Sequence, residues 1–459
     1  MNRLTMQQRK LLYLAGIVLL LIPIFLLGMP ATAPTQRADE DFTTTRTTGG
    51  ATESGGALAR MRQTHELGES TLGNVDPTSS VLNFVLLGFR GIAVNQLWGI
   101  HEEQKKTKQW GPMRATTESI ILLQPHYKKV WQYHGWDLAY NVSAEWDGVE
   151  DRYYWVKEGA KFLQDGVERN QKYPELPWEV GRITGQKIGR SDEWRQFRVF
   201  FLHDPDERFE GRADPAINPE EKDNYLVAKD WYTEANDRED QYDQDLMQDL
   251  LFRHYPARSQ FDYADAMNRE GQFDEVARQA WSQAEIDWTE KYGREEFLSP
   301  GGWIILEADE ETIRALARRD GVSIKDKQFW TDRYQNTANY RYWRTRATAE
   351  KDPVLVKAHR ELYEGRQLFR DLKFRAAREK LWTGMELYAQ ALAKYPQLTT
   401  EDESIEEGLL AVIYWQETYD LLLSPEPPPE DFPLKALWQA RQDHVPSVRE
   451  DFRVETHLP

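Results

Sequence analysis

Cysteine is absent from the 459 residues of this chain. That excludes disulfides, thiolate metal sites, thiol nucleophiles and a lipid-modified cysteine anchor. It fits an oxidising compartment without requiring one. Phosphate-binding loops are missing as well: no Gly-rich segment ends in Gly-Lys-Ser or Gly-Lys-Thr, and no Gly-x-Ser-x-Gly elbow occurs. His101-Glu102-Glu103 opens as a zinc-protease helix does, but Lys105 stands where the second histidine belongs. The 9 histidines are scattered without ligand spacing, so each reads as a surface or core residue. The sequence therefore predicts no catalytic residue, no cofactor and no metal. Basic charge is also short. Setting aside Arg3, Arg9 and Lys10, 55 Lys and Arg face 76 Asp and Glu. Such a surface disfavours nucleic acid, and disfavours anionic lipid as a partner for a basic patch.

What is present begins with the first thirty residues. Arg3, Arg9 and Lys10 precede a run with no charged residue until Arg37, and Leu11 to Gly28 is almost wholly aliphatic. At about 1.5 Å per residue such a stretch spans roughly 30 Å, the hydrocarbon thickness of a bilayer. The cationic flank favours a cytoplasmic N-terminus. A cleaved signal peptide is the rival reading, because Ala31-Thr32-Ala33 resembles a cleavage site. Against it, the apolar run exceeds the usual signal core, and Pro34 would follow the cut. Pro23 is tolerated, since helices in lipid accommodate proline. Residues 1–10 are thus expected in the cytoplasm, 11–29 as a transmembrane helix of the inner membrane, and the bulk of the chain on the extracytoplasmic side.

Residues 30–76 are rich in Thr, Gly and Ser, including Thr43-Thr44-Thr45 and Gly49-Gly50-Ala51-Thr52-Glu53-Ser54-Gly55-Gly56. Too little apolar surface is available there to offset ordering entropy, so a flexible tether with an r.m.s. reach of about 35–40 Å is expected. Beyond it the chain reads as helix after helix. From Val354 to Pro396 one helical face carries Ala358, Leu362, Gly365 and Phe369. After a turn around Asp371-Leu372-Lys373, a second carries Ala377, Leu381, Gly384, Tyr388, Ala391 and Tyr395. That is a helical hairpin. Gly365, Ala377 and Gly384 fall where a tetratricopeptide repeat needs small side chains, and Phe374 takes its aromatic position.

Earlier, Trp131 to Gly135 fits the opening of such a repeat, with His134 in place of leucine and Pro125 as the preceding unit's closing proline. A further unit reads around Gly271, Phe273 and Val276, and a weaker one begins near Trp178. Spacing is irregular: Gly135 to the next closing proline, Pro174, is far longer than an ideal repeat allows. The expected fold is therefore all-α, a degenerate tetratricopeptide-like hairpin array with insertions. An irregular helical bundle is the alternative. Helical regions are assigned to 77–203 and 251–422, with an acidic insertion at 204–250 and a Pro-containing C-terminal tail at 423–459. The insertion holds 16 Asp and Glu against 5 Lys and Arg. Calcium-loop spacing fails there, because Arg208 follows Asp204 and Asp206 and no Gly takes the sixth loop position; a solvated, partly irregular segment is expected. Val81–Ile100 is interrupted by Asn83, Arg90, Asn95 and Gln96, which favours a buried amphipathic helix over a second membrane span.

Leu87-Gly88-Phe89-Arg90-Gly91 with Leu97-Trp98, Leu123-Gln124-Pro125-His126 with Trp131, and Trp136-Asp137-Leu138-Ala139-Tyr140-Asn141-Val142-Ser143 resemble a group of membrane-anchored, tetratricopeptide-like proteins of planctomycete and verrucomicrobial type. The match covers roughly 81–189. It implies architecture and location, and no assigned reaction. Two functions stay open. The first is a non-catalytic scaffold holding a peptide or another envelope or membrane protein. The second is a carbohydrate-binding or carbohydrate-active envelope protein, with Trp131, Trp136, Tyr153, Tyr154 and Trp155 as a sugar platform. A glycosidase would need two carboxylates about 5–9.5 Å apart. A groove lined by Arg, Asn and Tyr favours the scaffold. A deep pocket with two facing carboxylates favours the enzyme.

Overall fold

The computed structural model describes residues 90–242, 249–422 and 427–456. The expected membrane helix, the tether and the first part of the 81–100 segment lie outside them. Among the described residues no helix is long and apolar enough to cross a membrane. The described residues divide into two compact units, one formed by 90–219 and 237–242, the other by 220–236, 249–422 and 427–456. Both are helical, and each is described separately.

In the first unit, consecutive helices pair as two hairpins, α1 (Arg90–Lys106) with α2 (Trp110–Leu123) and α3 (Lys128–Trp136) with α4 (Val149–Arg169); α5 (Glu175–Arg182) and α6 (Trp194–Leu202) follow, each packing on α4. The expected buried helix over 81–100 is only half buried where it is described: Val94 is inside, while Ile92 and Ile100 are exposed. Two π-helical turns interrupt the regular winding, Asp137–Val142 after α3 and Ile183–Lys187 after α5. Close approach of α3 and α4 depends on small residues. A Cβ added at Gly135 would lie 2.5 Å from Leu163 Cγ, and one at Gly166 would lie 2.9 Å from the Trp131 ring. Trp131 is buried, and its indole Nε1 donates to the Pro125 carbonyl at 2.8 Å.

The acidic run 204–250 departs from the solvated insertion expected of it. Asp204 and Asp214 are buried against Lys157 of α4, which is itself only 2% exposed. Lys157 Nζ lies 2.6 Å from Asp204 Oδ2 and 3.2 Å from Asp214 Oδ2; Lys161 Nζ reaches Asp214 at 2.7 Å. Burial opposes the charge of Asp214, but the two lysines hold its carboxyl below the usual range. Further on, α7 (Asn224–Tyr242) is a regular helix within the run. The lysine partners sit 40 or more residues away in sequence, so charge counting alone sees only the acids.

The second unit is built on hairpins α8 (Tyr255–Arg269) with α9 (Glu275–Ile286), and α13 (Pro353–Arg370) with α14 (Phe374–Lys394). Between them lie a β-hairpin of β1 (Glu296–Ser299) and β2 (Gly302–Ile305), then α10 (Glu310–Asp320), α11 (Ile324–Thr337) and α12 (Tyr340–Ala349). Local chemistry sets the ends. Asp274 caps α9 by accepting from the Val276 and Ala277 amides, Asp309 caps α10, and Asp352 followed by Pro353 starts α13. Gly321 (φ +67°) closes α10 in the left-handed conformation. A π turn, Asp287–Lys291, follows α9, and its buried Asp287 is paired with Lys229 of α7.

Lys327 of α11 is fully buried and donates to the Gly301 and Trp303 carbonyls and to Asp320, fastening the β-hairpin to α10 and α11. The expected C-terminal tail is instead folded into the core. α16 (Lys435–Ala440) and α17 (Val445–Thr456) pack on α15 (Asp402–Leu421), with Leu434, Val448 and Phe452 buried. Apolar residues that sparse, set among prolines and acids, give too weak a period to mark a helix in the sequence.

Candidate functional site

In the first unit α1, α3 and α5 lie side by side. α3 packs on α5, and α1 meets α3 through Trp98, His101 and Tyr133. Their common face forms an open groove of about 560 Å³. It is lined by Trp98 and Glu102 of α1, by Tyr127, by Lys129, Gln132, Tyr133 and Trp136 of α3, and by Glu179 and Arg182 of α5. On α3 the groove residues Gln132, Tyr133 and Trp136 alternate with Trp131 and Gly135, which face α4. One short helix thus presents small and aromatic packing residues on one side and polar aromatic residues on the other.

The groove's charges are largely committed. Tyr133 Oη donates to Glu102 Oε1 at 3.1 Å and accepts from Lys105 Nζ at 2.9 Å. Lys105 also pairs at 2.6 Å with Asp137, which is fully buried at the start of the first π turn. Burial opposes the charge of Lys105, yet Asp137 and Tyr133 hold its pKa above the ordinary value. Arg182 pairs with Glu179 at 2.7 Å and lies over the rings of Tyr140 and Trp178. Burial nevertheless pushes the Glu179 carboxyl up. Trp136 stacks on Tyr140 with ring centroids 5.6 Å apart.

Two polar atoms of the groove are different. Gln132 Oε1 and Arg182 Nε are buried and make no hydrogen bond. One is an acceptor, the other a donor. Each buried polar atom left this way costs about 1–3 kcal/mol, so both are primed for a ligand carrying the complementary group. Trp136 and Arg182 are also the last residues before the two π turns. Such turns commonly occur at functional sites, because the wider winding re-aims the side chains around it.

Beneath the groove, His101 is fully buried, edge-on to Trp98 and 5.8 Å from the His134 ring. Desolvation lowers the pKa of His101, and lowers that of His134 to about 3. His134 has Thr117 Oγ1 at 3.3 Å. Both rings are core residues.

The sequence-predicted repeat positions separate by environment. Trp131 and Gly135 sit at the α3–α4 contact described above. Gly365 meets Leu381, Gly384 meets Leu362, and Ala377 is fully buried, all at the α13–α14 contact. Phe374 packs edge-on to Phe369. Gly271 (φ +80°) occupies the turn between α8 and α9 rather than a helix interior, and Phe273 lies edge-on to Tyr363. Val276 is exposed. Of the aromatic residues considered as a sugar platform, Trp131 and Tyr153 are buried and only Trp136 lines the groove. Sequence reasoning missed Trp98, Gln132, Tyr133 and Arg182. The signal for three of them was the unused face of the Trp131–Gly135 helix and of the helix beginning near Trp178. Comparison of the chain with protein families, curated proteins and solved structures yields no match.

Proposed function

We propose that this chain is a non-catalytic scaffold of the cell envelope, held in the inner membrane by residues 11–29, whose groove holds an extended peptide segment of another envelope or membrane protein. The hairpin succession, with glycines at helix contacts, supports a degenerate tetratricopeptide-like array. The membrane anchorage rests on the N-terminal sequence pattern. The observation that carries the peptide reading is the pair Gln132 Oε1 and Arg182 Nε: an extended backbone presents both an N–H and a C=O along one edge, which matches an unpartnered acceptor and an unpartnered donor. Trp98, Tyr127 and Trp136 supply flat contact area for side chains, as interface anchors commonly do. Glu102 and Glu179 are engaged by Tyr133 and Arg182, which speaks against their serving as a general acid and base.

The test uses the full chain in lipid nanodiscs against a display library of random peptides, with affinities of enriched sequences read by fluorescence anisotropy. Gln132→Leu removes the orphan acceptor at near-constant volume, and Trp136→Ala removes a contact surface. Each is expected to weaken binding at least ten-fold. The proposal fails if no peptide is enriched over the Trp136→Ala protein. It also fails if the groove instead binds or cleaves envelope glycan strands and Glu179→Gln abolishes that activity.

A further inference from the structure

The second unit has a concavity of its own. A cleft of about 250 Å³ opens between α8, α9 and α13, with Phe273, Ala277 and Val356 as apolar walls and Trp281, Glu350 and His359 at its buried end. Under it lies an ion network with no counterpart in the sequence analysis. Arg346 bonds Asp265 at 2.6 Å, pairs with Glu403, and has Glu350 at 3.5 Å. His359 Nδ1 bonds Glu407 at 2.7 Å, and its Nε2 sits 3.0 Å from Glu350 Oε2. Asn268 donates to Glu350 Oε2 at 3.2 Å. Burial opposes a charge on His359, but the Glu407 and Glu350 carboxylates at its two ring nitrogens raise its pKa well above the ordinary value.

Two features decide what this cleft accepts. The cleft residue Trp281, 2% exposed, brings a buried indole N–H, Nε1, that has no hydrogen-bond acceptor. The ligand must therefore supply an acceptor. Charge then narrows its class. The four carboxylates Asp265, Glu350, Glu403 and Glu407 are already paired, with Arg346, Arg269 and His359. At the mouth Asp274 and Glu275 are accompanied by Arg278, which bonds Glu275, and by Arg360, which bonds the Phe273 carbonyl. An anionic acceptor would be desolvated among charges that already have partners, which costs far more than burying a neutral oxygen. A cation fares no better, because the oxygens of Glu350 are engaged by Asn268, His359 and Arg346 while the unsatisfied Trp281 Nε1–H is a donor. We infer that the α8–α9–α13 cleft is a second binding site, taking an uncharged, mostly apolar molecule or side chain that carries one carbonyl or hydroxyl oxygen. The apolar body rests between Phe273, Ala277 and Val356, and the oxygen accepts from Trp281 Nε1–H. This site belongs to the second unit and does not depend on the peptide groove.

Three probes of one shape test it: benzamide, benzoate and benzylammonium, titrated calorimetrically into the full chain in nanodiscs. Benzamide is expected to bind saturably and at least ten-fold more tightly than either ion. Trp281→Phe, which keeps a ring but removes the N–H, should weaken benzamide about ten-fold, and Trp136→Ala in the peptide groove should leave it unchanged. Val356→Trp, at a half-buried wall, should close the cleft and abolish binding. Equal or tighter binding of an ion, unchanged affinity in Trp281→Phe, retained binding in Val356→Trp, or no saturable benzamide binding would each overturn the inference.

Discussion

A Cβ placed on Gly384 would stand 2.6 Å from Leu362 Cδ2 and 3.0 Å from the Leu362 backbone nitrogen. The side chain could yield, but the backbone of a packed helix cannot. Overpacking of this kind costs about 1–3 kcal/mol, whereas replacing a helical glycine returns at most about 1 kcal/mol of propensity. Gly384→Leu is therefore expected to lower the melting temperature by several degrees. Gly99, with open space around it, should accept alanine without loss. An unchanged or raised melting temperature for Gly384→Leu would contradict the α13–α14 contact. The same scale sets the pH response. Folded His134 and His254 take up a proton only near about 3, against 6.5 for the free side chain. The unfolded chain binds more protons across that interval, so these residues make stability fall as pH drops from about 6.5. His359 works oppositely: its raised pKa contributes stability that is complete below about 6.5 and lost as pH rises through the folded value. A thermal profile with its maximum near pH 6.5 is expected. His134→Leu should flatten its acid limb, and His359→Gln its alkaline limb. Parallel profiles for all three proteins would refute the assignment.

Among elements, the α13–α14 hairpin was the most legible. Its apolar steps of three and four, its turn at Asp371-Leu372-Lys373 and the closing Pro396 lie within one stretch of chain, so local periodicity sufficed to place Pro353–Arg370 and Phe374–Lys394 almost to the residue. The π turns, the β-hairpin and the C-terminal helices were not legible. What holds them is distant in sequence: Lys105 with Asp137, Lys229 with Asp287, and Val448 and Phe452 beneath α15. The groove was hidden for the same reason, because its residues come from three separate helices. Lys327 allows an element-level test. Lys327→Met leaves the Gly301 and Trp303 carbonyls and Asp320 without their buried donor, and each such group costs about 1–3 kcal/mol. Amide exchange in β1 and β2 should quicken by at least ten-fold, while α13 and α14 keep their protection. Equal acceleration in all four elements would show that the lysine holds the whole unit rather than the hairpin.

For the whole molecule, the excess of acid and the N-terminal pattern make a joint expectation that fractionation can check. A reporter active only outside the cytoplasm, fused after Pro459, should be active, and the full-length chain should resist carbonate extraction from membranes. A soluble product beginning near Pro34 would remove the anchor while keeping export. The acidic total also has an internal limit. Asp204, Asp214 and Asp287 are buried in lysine pairs, so the acidic surface is smaller than composition alone implies.

The π turn after α3 carries a further consequence, best stated as insertion arithmetic. Such a turn is an α-helix that has absorbed one additional residue, and each residue of an α-helix advances its side chain by about 100°. The residues up to Trp136 and those from Leu138 to Val142 are therefore out of phase by that angle. This offset allows Gln132, Tyr133 and Trp136 to address the groove while Leu138 and Val142 enter the core with Met113. A chain lacking one residue between 137 and 142 would regain an unbroken helix but lose the offset. It would have to surrender either its grip on the core or the face it turns outward.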